Sequence, residues 1–142
     1  MNRAAAFNQL VQDFKTWMTA NYPAVPVQYP DVEFQIPTAG TPWVRLNINW
    51  SGSVSFGTGS NQWDRHTGML FAELYFPSGE GFGLINTMAA ALAAHFRAYS
   101  ADGGRLKCGG SDFTKPNIST PPSEPGWARR SVDVPIRLTE QF

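Results

Sequence analysis

The chain has 142 residues, with 11 Lys and Arg against 11 Asp and Glu, so its formal net charge is zero. A chain of this length suits one domain, residues 1–142, and the balanced charge argues against a general nucleic-acid binder, which usually carries a basic excess. Aromatic residues reach 13 % while charged residues stay at 15 %. Such a composition is typical of proteins whose surface contacts other subunits.

Cysteine count and hydropathy exclude further classes. Cys108 is the single cysteine, so the sequence offers neither an intrachain disulfide nor a Cys-rich metal site. Charged and amide residues interrupt the N-terminal run MNRAAAFNQLVQDFKTW, where a signal peptide needs an unbroken apolar segment. No apolar stretch approaches the ~20 residues of a membrane span. We therefore expect a protein made in a cytoplasm, with no membrane partner.

The first third of the chain predicts a helix, a proline-rich segment and a strand. Residues 4–21 carry an apolar stripe at helical spacing, and this stripe predicts an amphipathic helix. Five prolines between residues 22 and 42 exclude a central strand. They leave room for a short extended piece at 25–29 and an edge strand at 32–36. Strict alternation over residues 43–50 predicts a strand with one buried and one solvated face.

Residues 51–68, SGSVSFGTGSNQWDRHTG, are rich in Gly and Ser and predict a long irregular loop. Such connections are uncommon in compact domains and are usually functional. The segment fails the phosphate-binding pattern, because no Gly-Lys-Ser/Thr follows its glycines. Our hypothesis is an assembly loop that is mobile in the monomer and becomes ordered when a partner supplies contacts, because ordering such a segment is costly. Val54, Phe56 and Trp63 are its apolar anchors.

The rest of the chain completes a mixed fold. Residues 69–76 predict a central strand, residues 82–99 a helix, and residues 105–108 a short strand. A second irregular stretch with four prolines spans 109–126 and is a further candidate assembly loop, before a last strand at 130–139. Pro135 is acceptable in that strand only if its nitrogen faces away from a partner. The order predicts an α+β domain, with a mixed, mainly antiparallel sheet of four to five strands, two flanking helices and long inter-strand loops.

We predict no catalytic, cofactor or metal site. His66 and His95 lack the paired spacing typical of metal ligands. Cys108 could in principle act with a histidine as a nucleophile, although a lone cysteine is more often an inert buried residue. The glycines of residues 79–83 precede a helix and could hold an anion. Glu80 within them disfavours an anion, and the dinucleotide fingerprint is absent.

A small basic cluster precedes the last strand. Arg129 and Arg130 are adjacent, so in a strand their side chains point to opposite faces. They could form a solvated edge, or they could lie at a subunit interface or face DNA in a channel. Trp127 beside them is a candidate anchor, because Trp and Arg dominate interface hot spots.

Several short motifs occur in a characteristic order. They are RHTGML at residues 65–70, YFPSGEG at 75–81, an Ala-rich helix ending in His95-Phe96, the pair Gly126-Trp127, and SVDVPI at 131–136. In order and spacing this pattern resembles the tail terminator-like proteins of long-tailed bacteriophages. The resemblance runs from about residue 43 to the C-terminus, and the N-terminal helix fits in position and length.

The resemblance implies a structural role without catalysis or cofactor. In such proteins six copies form a ring on the end of the assembled tail tube, stop its growth and present a surface for head attachment. The implied partners are further copies of the chain, the tail tube protein, a head-completion or neck protein, and DNA passing through the ring. The implied location is the virion tail, after synthesis in the bacterial host cytoplasm.

We combine the resemblance with the residue patterns to name a candidate interface with a neighbouring subunit or the tube. Its seven residues are Val54, Phe56, Trp63, Arg65, Trp127, Arg129 and Arg130. Three other interpretations stay open on the residues alone. They are another ring-forming neck or connector protein, a small ligand-binding or enzymatic host domain, and a monomeric adaptor.

Overall fold

The computed structural model describes residues 1–38, 40–109, 115–122 and 124–141. These residues form two helices, α1 (Arg3–Asn21) and α2 (Gly83–Arg97). A short 3₁₀ turn follows at Asp102–Gly104. They also form seven strands: β1 (Val27–Gln28), β2 (Trp43–Thr58), β3 (Asn61–Pro77), β4 (Ala98–Ala101), β5 (Leu106–Gly109), β6 (Asn117–Ser119) and β7 (Trp127–Gln141). Neither helix is long and apolar enough to cross a membrane.

The strands form one mixed sheet in the order β1-β2-β3-β7-β5-β4, and β6 pairs with β7 beside β5. Only β1 and β2 run parallel among the described pairs. The predicted α+β class is confirmed, whereas the predicted four to five strands is wrong. The strands β4 and β6 have four and three residues, too few for alternation to be recognised, and they form only because long-range partners pair with them.

The prediction of an irregular loop at residues 51–68 is also wrong. β2 and β3 pair continuously out to Thr58 and Asn61, and the two residues Gly59 and Ser60 close the hairpin. The segment is therefore paired within a single chain, and no partner is needed to order it. The second predicted irregular stretch, 109–126, contains β6, while its residues 110–114 and 123 lie outside the described residues.

A β-bulge at Ser51 divides the hairpin into two parts. The register pairs Trp50 with Gly68 but Gly52 with Thr67, so β2 carries one extra residue at this point. Because side chains alternate with a period of two, the extra residue exchanges the two faces of β2 beyond the bulge. We call residues 53–66, beyond the bulge, the arm.

The core lies between both helices and one face of the sheet, which we call the inner face. Alternate residues of β2, β3, β5 and β7 enter it, together with one stripe of each helix. The rings of Phe14 in α1 and Phe96 in α2 stack with centroids 6.3 Å apart and join the helices. The predicted stripe of the first helix is confirmed, because Leu10 and Met18 are buried beside Phe14. No helix covers the opposite, outer face within the described residues.

The structure confirms the condition for Pro135 in the last strand but contradicts the edge strand predicted in the proline-rich segment. Pro135 lies in β7 at the gap between β5, which pairs as far as Ile136, and β6, which begins opposite Asp133. Its missing N–H therefore costs no ladder hydrogen bond on that side. The predicted edge strand at 32–36 is wrong, since these residues have no strand partner. Instead the Phe34 ring stacks on Trp43, with centroids 5.5 Å apart.

Gly68 is required by the close approach of the two strands at the bulge. A Cβ atom at Gly68 would lie 2.4 Å from the Asn49 carbonyl oxygen and 3.1 Å from the Trp50 Cα. We predict that Gly68→Ala lowers the free energy of unfolding by about 1–3 kcal/mol, because the backbone of β2 would have to shift to accommodate the added methyl group. Urea denaturation measures this loss. The matched control is Gly52→Ala, whose Cβ would meet its nearest atom, Thr67 Oγ1, at 3.6 Å. Equal losses in the two variants would contradict this account.

Candidate assembly interface

The arm has two faces of different chemistry, because cross-strand neighbours alternate along it. On one face Val54 lies opposite Arg65, and Phe56 lies opposite Trp63. We call this face the arm front, and it continues the outer face of the sheet. The arm back continues the inner face and carries the polar side chains Ser53, Ser55, Asp64 and His66. The structure therefore brings together the first four predicted interface residues on one surface.

The arm front joins exposed apolar groups to arginines. The Val54 and Phe56 side chains are 67 % and 40 % exposed. The Arg65 guanidinium carbon lies 5.1 Å from the Phe56 ring centroid, and that of Arg105 lies 5.5 Å from the Trp63 centroid. These distances suit cation–π contacts. The sequence does not predict Arg105 as part of this surface, because Arg105 reaches the arm only through the pairing of β5 with β7.

The arm back is held by a chain of hydrogen bonds. His66 is only 4 % exposed, with its Nδ1 2.6 Å from Ser53 Oγ and its Nε2 2.9 Å from Glu140 Oε2. Ser55 Oγ donates to Asp64 Oδ1 at 2.5 Å. Because Glu140 belongs to β7, His66 ties both strands of the arm to the end of that strand.

Ser53, His66 and Glu140 are also the residue types of a hydrolase triad. Acyl transfer further requires a concave substrate site and converging donors for the oxyanion. Ser53 instead lies exposed on β2, whose partner β3 is flanked by β7 at this level of the sheet. The geometry favours bracing of the arm as the role of this chain of hydrogen bonds.

The other three predicted interface residues lie at the opposite end of the sheet. Trp127 begins β7 and pairs with Pro77, whereas Gln141, near its end, pairs with Trp63 of the arm. At about 3.3 Å per residue, these two ends of β7 are about 46 Å apart. The seven predicted residues therefore lie in two groups at opposite ends of the sheet.

Arg129 is committed to contacts within the chain. Its side chain is 15 % exposed and lies 3.8 Å from Glu73 and 3.6 Å from Glu124. It also donates to the Pro122 carbonyl at 3.1 Å and lies over the Tyr75 ring at 5.0 Å. These contacts clamp β7 to β3 and to the segment before β7, and the prediction that Arg129 also meets a partner stays a prediction.

An aromatic stack underlies this clamp on the outer face. The Trp43 and Tyr75 rings are parallel, with centroids 4.1 Å apart, and the Trp127 ring meets Trp43 edge-on at 6.2 Å. Tyr75 donates its hydroxyl hydrogen to Glu73 at 3.1 Å. Burial, followed by the Glu73 charge, raises the pKa of Tyr75, so the phenol stays neutral and keeps that hydrogen bond.

Arg130 points to the inner side, as adjacency to Arg129 predicted. Its guanidinium carbon lies 4.7 Å from the Phe82 ring centroid, and its Nε donates to Asn86 Oδ1 at 3.0 Å. Phe82, Trp127 and Arg130 border an open cavity of about 500 Å³. Since Phe82 is exposed, this groove is a second candidate contact surface.

Cys108 lies in the hydrophobic core. The Cys108 side chain is buried, and burial raises the pKa of its thiol, with a smaller contribution from Asp13. The thiol therefore stays protonated and is a poor nucleophile. Within the described ranges, no three His, Cys, Asp or Glu side chains are close enough to hold a metal ion.

His95 is part of the packing between the helices. Its ring lies 5.8 Å from Trp17 and 4.8 Å from Phe96, measured between centroids. Its Nε2 is buried and has no hydrogen-bond partner among the described residues. Burial lowers the pKa of His95, and the Asp13 charge opposes this effect only in part.

We predict that His95→Phe changes the pH dependence of stability. The folded chain holds His95 neutral, whereas the unfolded chain protonates it near its usual pKa of about 6.5. The wild-type protein should therefore lose stability as the pH falls below 6.5, and the phenylalanine variant should escape this loss. The measurement is the free energy of unfolding of both proteins between pH 7.5 and 5. A constant difference across this range would contradict the prediction.

Comparison with known proteins identifies the family. A sequence profile described as phage tail terminator protein matches residues 4–138. One similar solved structure has a TM-score of 0.59 at 22 % identity, over 98 % of this chain and 92 % of that chain. At this identity the likeness supports the fold alone. No curated protein matches the chain significantly. Because the profile spans nearly every element described above, the chain belongs to the phage tail terminator protein family.

Proposed function

We propose that this chain, acting as one domain, caps the tail tube of a bacteriophage. Six copies form a ring on the tube end, stop tube polymerisation and present the surface to which the head attaches. The ring contacts the tail tube protein on one side and a head-completion or neck protein on the other. DNA passes through its centre. The role is structural and uses no cofactor or catalytic step.

The observation that carries this proposal is the arm. The hairpin of β2 and β3, which β7 flanks along residues 63–66, leaves Val54 and Phe56 exposed beside Arg65. The internal bonds of His66 on the arm back hold this surface in place. A braced hairpin with exposed apolar and cationic groups is suited to subunit contact, because interface cores favour aromatic residues and arginine.

Tube growth in vitro tests the capping function. Purified tail tube protein is polymerised with and without this protein, and tube lengths are measured by negative-stain electron microscopy. A cap should halt growth at a small fraction of the tube subunit concentration, because only ends are bound, and native mass spectrometry should count six copies per end. Unchanged tube lengths, with binding to DNA-filled heads instead, would contradict capping and identify a neck protein.

We predict that Val54→Ser with Phe56→Ser abolishes capping and leaves the fold intact. Both side chains are exposed, so the thermal midpoint should change little, while the apolar contact with a partner is lost. The matched control is Ser55→Ala, which alters the back of the same arm and should retain capping. Loss of folding in the double variant, checked by circular dichroism, or normal capping by it would refute this role for the arm front.

A further inference from the structure

A second exposed apolar surface lies in the proline-rich segment, on residues 29–37, which we call the strap. Val32 and Ile36 are 57 % and 54 % exposed. Asp31 and Glu33 flank Val32 and are also exposed. Within the described part of the chain, neither carboxylate takes part in a hydrogen bond or ion pair. The strap therefore presents apolar groups beside unpaired negative charge.

The strap is held in one shape although it belongs to no strand. Tyr29 packs against the core, and burial raises the pKa of its phenol. The Val32 N–H donates to the Tyr29 carbonyl at 3.3 Å, and Phe34 stacks on Trp43. Pro30 and Pro37 restrict the backbone further. Because this surface is ordered before binding, a partner loses little entropy in docking on it.

The arm front presents the complementary chemistry. Val54 and Phe56 supply exposed apolar groups, and Arg65 and Arg105 supply positive charge. Both arginines lie over aromatic rings, and neither pairs with a carboxylate among the described residues. Each chain thus carries both halves of one apolar and charged contact.

The two surfaces of one chain cannot meet each other. The strap residues Asp31 and Val32 border Leu46 and Asn47 of β2. The arm residue Val54 lies eight residues further along the same strand, at a distance of about 26 Å. Because β2 stays paired with β3 over this length, the arm cannot fold back onto its own strap.

We propose that the arm front of one copy docks on the strap of the next copy. Val54 and Phe56 pack against Val32 and Ile36, and Arg65 and Arg105 face Asp31 and Glu33. The contact joins two different surfaces, so it is heterologous and repeats head to tail, as closure into a ring requires. The inference rests on the proposed ring and names the two surfaces that form it.

Charge reversal tests this contact. Arg65→Glu places negative charge against the negative strap, and Glu33→Arg places positive charge against the positive arm. Like charges across an interface strongly oppose association. Each variant alone should therefore assemble only at a protein concentration about tenfold or more above that of the wild type. The readout is light scattering behind size-exclusion chromatography, on protein alone or on capped tail tubes. Lys15→Glu, an exposed reversal on α1, is the control and should assemble normally.

Mixing the variants provides the decisive result. In an equimolar mixture every junction joins opposite charges if the two chains alternate around the ring, which an even number of subunits permits. Assembly should therefore return in the mixture, and also in the double variant Arg65→Glu with Glu33→Arg. Variants that fail alone and also fail together, although circular dichroism shows them folded, would overturn the proposal.

A cross-link separates failure of this contact from failure of the proposed function. Val54→Cys with Ile36→Cys should form disulfide-linked ladders between copies under oxidising conditions, while buried Cys108 stays unreacted. Caps that form on tubes without these ladders would overturn the arm–strap contact and leave the capping function standing. Cross-links from position 54 to the tube protein would overturn the arm–strap contact and show that the arm front meets the tube instead. Ladders formed by a protein that never caps tubes would support the contact and refute the function.

Discussion

Strand β3 is paired on both sides over almost its whole length, and the rest of the molecule depends on this pairing. β2 bonds one edge from Asn61 to Tyr75, and β7 bonds the other from Trp63 to Pro77. Backbone donors and acceptors along the strand are thereby satisfied within the chain. The inner face of the same strand carries Leu70 and Leu74 into the core beneath the helices. The N-terminal end of the same strand forms one side of the arm.

The bulge at Ser51 changes which side chains of β2 lie on the outer face of the sheet. Before it, the outward residues of β2 include the polar Asn47 and Asn49, and after it they are Val54 and Phe56. Without the extra residue, the apolar pair would lie on the side of His66 and Glu140. One inserted residue therefore places the polar hydrogen-bonded residues and the exposed apolar residues on opposite faces of the same hairpin.

Four arginines on the outer face differ in whether a carboxylate lies beside them. Arg45 and Arg129 at one end lie beside Glu73 and stack on the rings of Tyr75 and its neighbours. Arg65 and Arg105 at the arm lie over rings but face no carboxylate among the described residues. Satisfied cations stabilise the fold, whereas cations with unused pairing capacity are available to a partner.

Local patterns in the sequence were sufficient for the two helices, for the strands over 43–50, 69–76 and 130–139, and for the α+β class. Those segments carry strong periodicity, which reflects burial of one face. The motif order also sufficed to indicate the tail terminator resemblance. Composition and the resemblance predict Val54, Phe56, Trp63 and Arg65 as contact residues, and this stays a prediction, whereas the predicted irregular loop around them is wrong.

Only the tertiary structure decided the arm. Gly and Ser are uncommon in strands, so the composition of this segment predicts a loop. The alternation of residues 53–56 before a glycine-containing turn is a hairpin signal, but it is too short to outweigh that composition. β7 pairs with residues 63–66 of the arm. The hydrogen bond between His66 and Glu140 and the contact between Arg105 and the Trp63 ring also join residues that are far apart in sequence. The burial of Arg129 and Cys108 likewise depends on distant elements. Periodicity reports which residues are buried locally, but it carries no information about which distant side chains will meet.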